Sequence, residues 1–126
     1  MARIVLLVAA IIEFVFRGLP ALFGSEWIAK LFGLEYIPGC LVYVHPFGGL
    51  MLTFGVMFFI ASKDPVKHRL LVDIGILRFA LGGLGHLVSI VGPAPYATFW
   101  LVHFIVDLVL LVLLLISRPK AAPAAA

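Results

Sequence analysis

The sequence predicts an all-α integral membrane four-transmembrane-helix bundle, with N and C termini cytoplasmic and a short interfacial helix after helix 1. Three observations predict it. The 126 residues are 64% hydrophobic and only 12% charged, with a mean hydropathy of +1.24, which is more apolar surface than a soluble domain of this size can hide. Four apolar runs, roughly 4–23, 41–61, 70–91 and 97–116, reach or approach the length of about 20 residues that crosses a bilayer. The basic residues then alternate. Arg3 precedes the first run, Lys63, Lys67 and Arg69 separate the second and third, and Arg118 and Lys120 follow the fourth, leaving Lys30 for the opposite side. The positive-inside rule reads this as both termini and the middle loop in the cytoplasm.

The elements follow in order. Met1-Ala2-Arg3 before an apolar run has the outline of a secretory signal, but the run is long, carries Glu13 and Arg17, and has no A-x-A cleavage site, so it reads as a retained first helix. Pro20 falls late in that helix, where a bundle tolerates a kink. Ser25 through Phe32 is a short helix with Ser25 as its cap, lying along the interface with Trp27, Tyr36 and Tyr43 as an aromatic belt. Pro38-Gly39 turns into helix 2, which Pro46 either opens or kinks. Asp64-Pro65 has the chemistry of a helix start, a cap followed by Pro at the first position. Gly92-Pro93-Ala94-Pro95 is a tight outer turn before helix 4. The transmembrane domain is 1–118, and the Ala/Pro tail 119–126 is predicted to be disordered.

Seven groups that bear charge or bind protons fall in or at the edge of these spans: Glu13, Arg17, His45, Arg78, His86, His103 and Asp107. Hydrocarbon penalises a central Arg or Asp by roughly 2.5–3.5 kcal/mol on insertion scales, so each needs a partner or a purpose. With a rise of about 1.5 Å per residue, Glu13, Arg78 and Asp107 lie about 12–15 Å from the cytoplasmic end of their spans. Arg17, His103, His86 and His45 form a second layer at about 20–24 Å. Glu13 and Arg17 are i,i+4 in the favourable order. His103 and Asp107 are also i,i+4, which predicts a ring N–H donating to the carboxylate. Arg78, Gly82 and His86 share one side of helix 3. Gly48, Gly49, Gly82, Gly83 and Gly85 let helices approach closely or leave room for a flat ligand. Asp73, near the cytoplasmic face, is expected to pair with Arg69 or Lys67.

The net charge of +3 is topological, so nucleic acid is not a partner; the lipid bilayer is. A single cysteine, Cys40, excludes an internal disulfide and a C-x-x-C redox pair. Several readings of the cluster remain. His45, His86 and His103 offer imidazoles to a metal ion, and His86 with His103 offers two axial ligands to a haem. A quinone fits a bundle pocket with convergent polar groups, with Glu13, Arg17, Arg78, His86, His103 and Asp107 as ligand-binding residues. The four obligate charges sum to zero, so a buried ion network that only fixes the fold is a further reading.

Glu13-Phe14-Val15-Phe16-Arg17-Gly18, Leu22-Phe23-Gly24 and Ala29-Lys30-Leu31-Phe32-Gly33-Leu34 together resemble the first helix and loop of the DoxX-like small four-helix membrane proteins. That resemblance implies a multi-pass protein of the bacterial inner membrane, an accessory in some cases to a membrane redox complex, and carries over no catalytic residue. Glu13 in the first of four helices also resembles the acid of small multidrug resistance transporters, a proton-coupled reading, although Arg17 beside it competes with a cationic substrate. A homo-oligomer is compatible with either.

Overall fold

The computed structural model describes residues 1–92 and 96–120; the side chain of Cys40 lies outside that description. Every regular element among the described residues is helical. The first span, Ala2–Phe23, consists of α1 (Ala2–Ile11), a π-helical segment (Ile12–Gly18) and α2 (Leu19–Phe23). It is followed by the short α3 (Ser25–Leu31), a 3₁₀ turn (Pro38–Cys40), α4 (Leu41–Lys63), α5 (Arg69–Val91) and α6 (Ala97–Ser117). Four of these helical stretches are long and apolar enough to cross a membrane. The expected turn at 92–95 falls largely on residues 93–95, and the tail beyond Lys120 on residues 121–126, all outside the described residues.

The first span packs along α4 and α5 packs along α6, while contacts of α1 with α6 and of α4 with α5 close a four-helix ring. The apolar core occupies the end of the bundle that holds the termini. Leu6, Ala9, Phe58, Ala61, Val72, Phe79 and Leu114 are all fully buried there. Phe58 and Phe79 stack with centroids 5.6 Å apart. The outward faces carry bare hydrophobic side chains such as Ile4, Leu70, Leu81 and Ile116. In water such a surface would be an aggregation liability; against hydrocarbon it is the right solvent match.

Three local expectations change, and the choice left open for Pro46 is narrowed. Ser25 is the first residue of α3, not its cap; Gly24 holds the cap position, with no side-chain capping bond. Asp64-Pro65 does form a capped turn, Asp64 accepting from the Lys67 N–H at 3.1 Å, but that turn is not continued and α5 begins at Arg69. Pro46 lies inside α4, where its ring costs one backbone bond a turn and a half from the start. Asp73 pairs with Arg118 across α5 and α6, at 2.7 and 2.9 Å, because α5 and α6 run side by side and bring their ends together at the termini side. That carboxylate holds the Arg118 guanidinium above its ordinary pKa.

The π segment was not legible as such. Pro20 has no N–H, and in a continuous α-helix its ring would press on the carbonyl of Phe16, four residues back. The turn before it widens instead, and the Leu19 N–H bonds the Phe14 carbonyl, five residues back. The extra residue per turn leaves Glu13, Arg17 and Gly18 all buried. Glycines set the closeness of the first span and α4. A Cβ on Gly55 would sit 2.7 Å from the Phe14 Cβ and 3.1 Å from its Cα, and one on Gly18 would sit 2.5 Å from Leu52. Gly49, by contrast, has open space around it. Gly55→Val is therefore expected to cost about 1–3 kcal/mol by overpacking against backbone that cannot give way. Gly49→Ala is expected to be neutral or slightly stabilising; midpoints of unfolding in a detergent titration measure both.

Candidate functional site

Directly above the apolar core, three of the four spans bring charge to one point. The π segment contributes Glu13 and Arg17, α5 contributes Arg78, and α6 contributes Asp107. Arg17 donates from Nη1 to Glu13 Oε1 at 2.7 Å and from Nη2 to Asp107 Oδ1 at 2.6 Å. Arg78 donates from Nη1 to Asp107 Oδ2 at 3.0 Å and from Nη2 to Glu13 Oε2 at 3.2 Å. Each arginine thus bridges both acids, and each of the four carboxylate oxygens accepts from an arginine. The ring is closed and its formal charge is zero.

Its burial is nearly complete. Glu13 and Asp107 are 0% exposed, and the Arg17 and Arg78 side chains are 6% and 8% exposed. Such charges survive in a low-dielectric interior only when paired with good geometry and further hydrogen bonds, and the planar guanidinium fork supplies both. The remaining span, α4, contributes Met51, whose Sδ lies 3.3 Å from Arg78 Nη2, and Phe54. The Arg78 guanidinium carbon sits 4.8 Å over the Phe79 ring and 5.9 Å over that of Phe54. Arg78 Nε is buried and has no acceptor among the described residues.

Gly82 makes the ring possible. A Cβ there would collide with both Arg78 Nη1 and Asp107 Oδ2, so the helix surface one turn beyond Arg78 has to be bare. Gly83 faces Phe104 and the Asp107 Cβ at ordinary contact distance, and Gly85 faces open space.

Farther from the termini, α5 and α6 hold a second cluster, built of rings. His86 stacks on Trp100 with centroids 5.8 Å apart and lies 5.5 Å from His103. Phe99 meets His103 at 4.2 Å and Trp100 edge-on at 5.0 Å. The loop after α3 closes over this end, with Phe32 edge-on to Phe99 at 5.4 Å and the Glu35 N–H donating to the Tyr96 hydroxyl at 3.1 Å. Trp100 is a half-buried member of this cluster.

The imidazoles reverse one expectation. His103 does not donate to Asp107, although the two are i,i+4. Its Nδ1 lies 2.9 Å from the Phe99 carbonyl. A carbonyl only accepts, so Nδ1 carries the proton and the neutral ring presents Nε2 as an acceptor. Each oxygen of the carboxylate that His103 was expected to use already accepts from an arginine. His86, from the neighbouring helix, comes closer to it instead, with Nε2 3.5 Å from Asp107 Oδ2. That separation is too long for a good hydrogen bond, so the His86 ring is not committed to the acid.

Six of the seven groups singled out from the sequence therefore converge: Glu13, Arg17, Arg78 and Asp107 in the ring, His86 and His103 beside it. His45 does not. It is exposed and lines a separate groove with Trp27, Lys30 and Tyr36, because its face of α4 turns away from α5 and α6. The three histidines thus cannot share a metal ion, and among the described residues no trio of His, Cys, Asp or Glu has the geometry to hold one. The two imidazoles that do meet are in direct ring contact, which leaves no slot between them for a haem macrocycle.

Comparison with protein-family models, with curated proteins and with solved structures returns no match. The site's own chemistry therefore carries the functional reading.

Charge balance generates a prediction. Arg78→Met strands a net negative charge and is expected to cost about 3–5 kcal/mol. Combining it with Glu13→Gln restores neutrality, so the double variant should lose clearly less than the sum of the two singles. Gly82→Ala, which removes no charged group, should nonetheless be as damaging as Arg78→Met. Denaturation of each purified variant in mixed detergent micelles reads all three comparisons.

Proposed function

We propose that this protein is a multi-pass protein of the bacterial inner membrane that binds a flat, ring-shaped quinone-class ligand at the His86–His103 pair. The observation that carries this reading is the state of the two imidazoles. Neither imidazole Nε2 has a short hydrogen-bond partner among the described residues, whereas every carboxylate oxygen already accepts from Arg17 or Arg78. His103 Nε2 suits a ligand hydroxyl, and His86 suits a ligand carbonyl. Phe99 and Trp100 pack against the two imidazoles and make their surroundings aromatic. Pockets for such ligands are mostly apolar, lie between bundle helices and need only a few placed polar groups.

The basic residues Arg3, Lys63, Lys67, Arg69, Arg118 and Lys120 favour both termini in the cytoplasm, which puts the imidazole pair toward the outer leaflet. A place beside a membrane redox complex, in keeping with the DoxX-like resemblance, is part of the same proposal. Proton-coupled drug transport is not favoured, because Glu13 is paired with two arginines, whose positive charge opposes a cationic substrate.

One observation favours a second reading. The ion ring is complete in itself, so it can serve solely to hold the spans in register, with no ligand at all.

A single titration separates the two. The chain has two tryptophans, so Trp27→Phe leaves Trp100 as the sole reporter beside the imidazoles. Short-chain ubiquinone should then quench its fluorescence saturably in micelles. His86→Ala and His103→Ala should each raise the dissociation constant roughly tenfold, about the effect of one hydrogen bond, without altering helicity. Quenching that stays linear and is identical in the variants would mean simple partitioning into detergent, and the purely structural reading would stand.

A further inference from the structure

At the end of the bundle that holds the termini, both acids are already engaged while most of the cations are not. Six basic residues lie there, Arg3, Lys63, Lys67, Arg69, Arg118 and Lys120, against Asp64 and Asp73, whereas the far end sets Lys30 against Glu26 and Glu35. Both oxygens of Asp73 accept from Arg118, at 2.7 and 2.9 Å. The Asp64 carboxylate accepts from the Lys67 N–H at 3.1 Å, and the Asp64 carbonyl accepts from the His68 N–H at 3.0 Å. Those two bonds fold 64–68 into a compact turn between Lys63, where α4 ends, and Arg69, where α5 begins. The turn therefore gathers Lys63, Lys67 and Arg69 on one small surface.

Arg69 is the cation that the Asp73–Arg118 pairing displaces. It is half-buried and has no salt bridge among the described residues, and its Nε is buried with no acceptor among them. A guanidinium held partly out of water needs an anion. Lys63 and Lys67 are exposed, and the Lys63 ammonium lies 4.9 Å over the Phe59 ring rather than on an acid. Among these cations, Val66 and Leu70 are 60% and 71% exposed. Cations interleaved with bare apolar side chains match the boundary where acyl chains meet headgroups.

We infer that the 63–69 turn binds the headgroup of an anionic phospholipid in the leaflet at the termini end. The Arg69 fork takes the phosphate oxygens, Lys63 and Lys67 add positive charge around it, and Val66 and Leu70 rest among the acyl chains. Charge selects the headgroup. A zwitterionic lipid brings an ammonium to a surface of three cations whose two neighbouring acids are already bonded, whereas phosphatidylglycerol brings its phosphate alone. The inference rests on the bundle crossing a membrane, and it is independent of what His86 and His103 bind.

Native mass spectrometry of the full chain, delipidated in detergent and offered equal amounts of phosphatidylglycerol and phosphatidylethanolamine with identical chains, tests it. Preferential retention of phosphatidylglycerol is expected. Arg69→Gln should reduce that preference roughly fivefold, the worth of one basic residue at an anionic surface. Lys67→Gln, at an exposed position where only the backbone N–H is in use, should do the same and keeps the test decisive if the Arg69 variant does not fold. Lys120→Gln makes the same change in net charge at the same end and should alter the preference by less than about twofold, since it lies outside the turn. Equal retention of the two lipids by the unaltered protein overturns the inference. Equal losses in all three variants overturn it too, because they mean diffuse attraction with no site, as does full competition by soluble glycerol phosphate, which means a site for free anions. A chain that stays monodisperse without detergent overturns it together with the membrane reading, and no other outcome does both.

Discussion

The closed ring of Glu13, Arg17, Asp107 and Arg78 is the interaction on which the rest of the molecule depends. Removing water from four full charges is expensive, and the interior returns that cost only if every oxygen and most donors find partners at once. This requirement is collective. Arg17 satisfies neither acid completely, nor does Arg78; each acid needs both. The first span, α5 and α6 are consequently tied at one height and one rotation, since a shift of a single residue in any of them would move a charge by about 100° around its helix and open the ring. Apolar packing alone does not specify register so tightly, because Leu and Val side chains slide past one another at small cost.

Several departures from ideal local structure make sense as accommodations of that ring. The π segment ahead of Pro20 allows Glu13, Arg17 and Gly18 to be buried together. Gly82 leaves bare the patch that the Arg78 and Asp107 heads occupy. Arg78 Nε, buried without an acceptor among the described residues, is the residual cost: both terminal nitrogens of the guanidinium are spent on the two acids. Glycine at 55 and π geometry at 12–18 both act on the contact between the first span and α4, so the span that delivers two of the four charges also packs closely on its neighbour.

Much of this was legible in the sequence. Four spans, their order and their alternation follow from run length and basic-residue placement, and matched heights along the spans brought Glu13, Arg78 and Asp107 to one layer. What spacing could not supply was competition. His103 and Asp107 are i,i+4, and in isolation that pair would bond; the structure instead gives the acid to two arginines from other helices and returns His103 to its own backbone. Height likewise placed His45 with His86 and His103, but height says nothing about the direction in which a helix face points. The π segment had a signal, Gly18 and Pro20 close behind a buried charge pair, yet a proline kink and a π turn share that signal.

Seen along the bundle axis, the structure is layered: an apolar core at the terminal end, a neutral ionic lock above it, and an imidazole–aromatic cluster beyond the lock. The order has a chemical consequence. A site that must exchange protons or hydrogen bonds with a ligand cannot use groups whose displacement would unpair a buried charge, because each such event costs several kcal/mol. The bonds that make the four ring members stabilising set that cost against such work. His86 stands at the boundary, near enough to Asp107 to feel its field and too far to be held by it. His103 stands one step farther, its tautomer set by a backbone carbonyl that does not titrate. On the reading proposed above, ligand binding falls to the imidazoles, and the charged residues that first draw attention in the sequence hold the spans in register.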